Sequence, residues 1–110
     1  MNQAAQGQEG ARQAKRMLDK IVAEKPDKNG HDFSQAVRCL AAFRDAFLAG
    51  HRANGTTPET HAQLARLNAV ISAVVGGQYP VGPIPWKHIE AAHDSYQKLL
   101  SELSLREDAS

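Results

Sequence analysis

Apolar side chains recur every three or four residues in four separate stretches of this chain, the period of a helix that buries one face. The first stretch runs Ala11, Ala14, Leu18 and Ile21, with Met17 and Val22 beside it. Lys25-Pro26 closes it, because a residue that precedes proline is pushed out of the helical region, and Asp27 to Gly30 is turn chemistry. The second runs Phe33, Ala36, Leu40, Phe43 and Phe47, flanked by Val37 and Leu48. Asp32 or Ser34 can cap its start, and Gly50 predicts its stop. Thr57-Pro58-Glu59 opens the third helix with a hydroxyl cap, a proline at the first helical position and an acid at the positive end of the dipole. Its stripe is Leu64, Leu67, Ile71 and Val74, ending at Gly76-Gly77. Residues 69–75 are apolar nearly all round, which predicts the most buried segment of the protein. The fourth stretch is the most regular: Trp86, Ile89, His93, Tyr96, Leu100 and Leu103, with Ala92 and Leu99 alongside.

Four amphipathic helices joined by modest connections pack most simply as an all-α, single-domain antiparallel bundle, with a Pro/Gly-rich connection before the last helix. The bundle is expected over residues 11–105. Residues 1–10 are polar and glycine-containing and are expected to be disordered or frayed. Residues 106–110 are expected to fray as well, since Glu107 and Asp108 carry the wrong sign for a helix C-terminus. The first helix has the thinnest apolar stripe, so it is the element expected to be loosely held or engaged with another chain.

Composition narrows the function more than it identifies it. A hydrophobic share of 42% and a charged share of 23% are those of a folded domain, while aromatic residues at 5% disfavour a β-sandwich. A net charge of +1 supplies no broad field for nucleic acid or an anionic membrane. The basic row Arg12, Arg16 and Lys20 is interrupted by Asp19 and reads as the solvated face of a helix; a helix-turn-helix would also need shorter turns. Cys39 is the single cysteine, so no internal disulfide forms. The N-terminal residues lack the basic-then-apolar layout of a signal peptide and no apolar run is long enough to span a bilayer, which predicts a cytoplasmic protein.

Candidate chemistry is sparse. No two of the five histidines stand four apart, and His88 and His93 fall roughly 140° apart around a helix. Glu90-Ala91-Ala92-His93 has the Glu-x-x-His spacing of carboxylate-bridged di-iron bundles. Such sites need a second copy and further glutamates, and the second helical stretch contains none, so no metal site and no cofactor are expected. Cys39 has no evident cationic neighbour to lower its pKa, and neither a nucleophile elbow nor a phosphate-binding glycine loop is present. Catalysis is therefore not the expected role.

Two features remain. His93 falls in the apolar seam of the fourth helix, where it reads as a buried neutral imidazole, or as one paired with a carboxylate such as Glu90. With Tyr96 and Trp86 it is a candidate for ligand binding or pH sensing, and a cavity there would suit a small molecule, a haem or a metal. The segment 76–86 holds Pro80, Pro83 and Pro85 together with Tyr79, Val81, Ile84 and Trp86, and is unusually apolar for a connection. Proline restricts its free-chain conformations. The expected division puts Ile84 and Trp86 in the core and Tyr79 and Val81 outside as partner-binding residues. The leading expectation is a small non-catalytic protein–protein interaction or regulatory module, binding another protein or its own copies. A ligand-binding bundle built around His93 and Trp86 is the alternative.

Overall fold

The computed structural model of the protein describes residues 3–25 and 31–103. They form four helices and, among the described residues, no strand: α1 (Gln3–Glu24), α2 (His31–Asn54), α3 (Pro58–Gln78) and α4 (Trp86–Glu102). At 1.5 Å per residue a 24-residue helix is ~36 Å long, so α2 spans most of the 42 Å long axis of the molecule. The helices form a ring in which α1 meets α2 and α4, and α3 meets α2 and α4, while the diagonal backbones stay apart. Aromatic side chains fill the centre across one diagonal. Phe43 of α2 meets Tyr96 of α4 edge-on at 6.4 Å, and Phe33 of α2 meets Trp86 at 6.2 Å.

The α1 stripe is buried as its spacing requires: Ala11, Ala14, Leu18 and Ile21 are all within 1% of complete burial. Thin as it is, this stripe does not leave the helix loose, because α1 makes its most extensive approach to α2. Small residues allow it. A Cβ on buried Gly10 would sit 3.0 Å from the Cys39 carbonyl oxygen, so the two backbones nearly touch there. The helix reaches back to Gln3, before the first residue of its apolar stripe. It ends with Lys25 at φ 44°, whose N–H donates to the Ile21 carbonyl at 2.8 Å, a left-handed C-terminal cap. The turn read at Asp27 to Gly30 and the frayed ends read at 106–110 lie outside the described residues.

Two glycines behave differently from their reading as stops. Helix α2 continues through Gly50 to Asn54, and the stop falls at Gly55, with φ 90° and its N–H on the His51 carbonyl at 2.7 Å. The ring of Phe47 packs on that of His51 at 4.4 Å across the turn containing Gly50, a contact that helps carry the helix on. In α3, Gly77 is helical and buried; a Cβ there would lie 2.5 Å from Phe33 Cε1 and 2.8 Å from Ile89 Cδ1. Gly77 thus lets three helices close together.

The buried face of α3 is Gln63, Leu67, Val70, Val74 and Gly77, rotated from the expected stripe, with Leu64 and Ile71 only half-buried. Segment 69–75 is accordingly not enclosed on all sides, since Ala69 and Ser72 face outward. Hydrophobicity alone did not fix which side faces in, because both candidate faces of this helix are apolar.

Candidate functional site

The connection 79–85 starts from a well-formed helix end and finishes on a weakly capped one. Tyr79 caps α3 with its N–H on the Val75 carbonyl at 2.9 Å. Pro85 precedes α4 without any side-chain cap, and its carbonyl accepts from Ile89 N–H at 3.1 Å. Between them Gly82 takes φ 138°, a conformation that side-chain-bearing residues rarely adopt, so the chain bends sharply there. Ile84 and Trp86 turn inward and pack on the core, both remaining partly exposed. Tyr79 and Val81 turn outward at 68% and 105% exposure, and these are the exposed large apolar side chains among the described residues. The bend at Gly82 separates the outward pair Tyr79 and Val81 from the inward pair Ile84 and Trp86, so one short stretch both anchors itself and presents an apolar edge.

The second candidate region is the face between α1 and α4. His93 lies half-buried, with 16% of its side chain exposed, and its carboxylate partner comes from α1 rather than from its own helix: Nε2 lies 2.6 Å from Asp19 Oδ1. Glu90 is instead paired with Lys25 at 2.7 Å. An ionised carboxylate can only accept, so Nε2 carries a proton and donates to it, and the Gln97 amide nitrogen lies against the same ring, 2.9 Å from Nε2 and 3.3 Å from Nδ1. The second Asp19 oxygen takes Lys15 Nζ at 2.8 Å. Partial burial by itself raises the Asp19 carboxyl, but the hydrogen bonds from His93 and Lys15, with their charges, outweigh it and hold the group below the usual carboxylate range. Periodicity placed His93 in the seam of α4. It gave no sign of Asp19, which is separated from it by most of the chain and reads as part of a solvated row.

Tyr96 is fully buried and donates its hydroxyl to the Ala11 carbonyl at 2.7 Å, which ties α4 to α1 near the other end of the same face. Burial, and then the nearby Cys39, push its phenol far above the ordinary range, so it stays a neutral donor. Gln63 is buried and was not foreseen; it lies near the Arg66–Glu102 pair, which joins α3 and α4 at 2.7 Å.

Shallow grooves also mark the surface of the described residues. One, of about 290 Å³, lies between α1 and α2 and is lined by Gln13, Arg16, Met17, Gln35 and Cys39. Burial, and then Glu9, raise the Cys39 thiol pKa, and its Sγ donates to Gln13 Oε1 at 3.6 Å, so the nucleophilic thiolate is disfavoured. Another, of about 240 Å³, runs between α3 and α4 past Ala73, His88 and Ala92. Neither is lined by His93 or Trp86. Among the described residues, no group of three or more His, Cys, Asp or Glu side chains is placed to hold a metal ion, and no helix is long and apolar enough to cross a membrane. Comparison with protein-family models, with curated proteins and with solved structures gave no match.

Proposed function

We propose that this chain is a small, non-catalytic protein–protein interaction or regulatory module whose binding edge is the α3–α4 connection, with Tyr79 and Val81 as its contact residues. The observation that carries the reading is their exposure, 68% and 105%, on a segment stiffened by three prolines and anchored by Ile84 and Trp86. A pre-ordered apolar edge loses little conformational entropy on binding, and an exposed aromatic side chain of this kind is a frequent energetic anchor of protein interfaces. The scaffold in this reading is an antiparallel bundle. Its support is the order of contacts between helices: Ala11, Asp19 and Lys25 of the first helix region meet Tyr96, His93 and Glu90, one sequence rising as the other falls.

Two measurements test the proposal together. The wild type and the Tyr79→Ala and Val81→Ala variants are used as bait in affinity capture from the native host. The same proteins are sedimented alone at tens of micromolar to detect self-association. The reading expects a partner, foreign or a second copy, that is retained by the wild type and lost by the variants while their folding is unchanged. Equal capture and equal sedimentation by all three proteins would remove Tyr79 and Val81 from the function.

A further inference from the structure

Residues 67–86 contain no charged side chain, the longest such run in the chain, and they span the second half of α3 and the whole connection into α4. Ala65, Ala69, Ser72, Gly76 and Tyr79 recur at intervals of four and three residues, so they form one line along α3 to its cap. None of them is buried. Beside this line runs the groove of about 240 Å³, walled by Ala69 and Ala73 of α3 and by His88, Ala91 and Ser95 of α4. One end of the face thus carries two projecting apolar side chains, Tyr79 and Val81, and its middle carries a hollow lined mainly by small ones. We propose that a second copy of this chain covers this face, in a two-fold dimer where Tyr79 of each protomer enters the α3–α4 groove of its partner. The dimer rests on the contact role of Tyr79 and Val81 given above, and names what they contact.

The groove suits the ring. Alanine walls leave room for a side chain between the helices, and tyrosine combines an apolar ring with one hydroxyl. Ser95 and His88 supply polar groups on the walls that can take that hydroxyl's hydrogen bond. Tyr79 and Ala69 stand ten residues apart on one molecule, ~15 Å along the helix. One rotation therefore satisfies both: what each protomer inserts it also receives, the rule of a two-fold interface.

Charge favours a second copy. A two-fold axis sets like against like near its centre, so a charged face repels its own image. The row Arg12, Arg16 and Lys20 on α1 is such a face, and the 67–86 face is not. Arg66, at its border, is turned to Glu102 at 2.7 Å and to the Ser95 carbonyl at 3.4 Å. Area agrees. From Ala65 to Tyr79 the face is ~21 Å long, and two packed helices are ~20 Å wide. With the connection added, each protomer contributes about 500 Å² in plan, and more in accessible surface. Stable pairs cover about 800 Å² on each partner and weak ones less than about 600 Å². Association in the micromolar range is the expected result.

Sedimentation of the full chain, from micromolar to hundreds of micromolar, reads the dimer. The wild type should pass from monomer to dimer across the series, and Tyr79→Ala should weaken it about tenfold or more, the scale of a hot spot. Ala91→Arg fills the groove from an exposed helical position, so the helical circular dichroism should be kept while the dimer weakens as much. The decisive sample is an equimolar mixture of the two variants. Each alone has lost both ring–groove contacts, whereas a mixed pair keeps one, the intact Tyr79 of one protomer in the open groove of the other. The mixture should associate more tightly than either variant by itself. A wild type that stays monomeric throughout overturns the dimer, and capture from the native host that still depends on Tyr79 and Val81 then gives the edge to a foreign protein. A dimer that Ala91→Arg leaves intact, or a mixture no tighter than its components, overturns the seating of the ring in the groove, while a loss of association in Tyr79→Ala would keep its contact role.

Discussion

Residues 55–57 lead into α3 and residues 79–85 lead into α4, and the two connections share little chemistry. The first is polar and does no more than turn the chain. Gly55 supplies the positive φ that stops α2, and Thr57 accepts from the Thr60 N–H at 3.1 Å while its own N–H donates to Thr60 Oγ1 at 2.9 Å. Two backbone donors at the helix start are thereby satisfied within four residues, with Pro58 needing no partner. The second connection offers α4 no side-chain cap and leaves Tyr79 and Val81 in water. Where only a turn is needed, this chain uses turn chemistry. Two large apolar side chains kept in solvent contribute nothing comparable to stability, and that surplus is the reason for assigning the interaction to this end of the molecule.

The contrast yields a graded set of expectations. Trp86→Ala should destabilise most, by about 2–3 kcal/mol, somewhat under the usual range for emptied aromatic sites because the ring is only partly buried. Denaturant unfolding measures it, and a loss under about 1 kcal/mol would mean that the second connection is not anchored. Gly77→Ala should cost a net of about 1–2 kcal/mol. The new methyl meets the Phe33 ring at 2.5 Å, and this outweighs the gain in helix propensity. A more stable Gly77→Ala protein would show that α2 and α3 can move apart there. Thr57→Ala, in the first connection, should cost about 1 kcal/mol and leave association untouched. Smallest of all, Tyr79→Ala and Val81→Ala should shift stability by no more than about 0.5 kcal/mol, yet weaken binding by about 1–2 kcal/mol or more. If those two variants unfold readily and still bind, the second connection is a plug and the contrast between the two connections disappears.

Much of the bundle was legible without coordinates, and the reason is local. The periods of Ala11–Ala14–Leu18–Ile21 and of Ile89–Tyr96–Leu100 each leave one apolar face, and only that face can be buried. Thr57-Pro58-Glu59 specifies a helix start through groups within three residues of one another. Its prolines and its apolar content likewise marked 79–86 as an unusual connection. Where local preference was ambiguous, the reading drifted: α3 is apolar on two faces, so its rotation was missed, and Gly50 and Gly77 were read as stops although helix context carries both.

The sequence by itself determined four helices, the stripes of all but α3, and the apolar character of the last connection, because these follow from interactions spanning one or two turns. Tertiary structure alone decided which partners meet across the chain. Asp19 finds His93, Tyr96 reaches the Ala11 carbonyl, and Gly77 admits the Phe33 ring, each between residues far apart in sequence. No periodicity encodes such pairs. They depend on how the helices are rotated and how closely they approach, and those are fixed only when side chains from separate helices fill the same space.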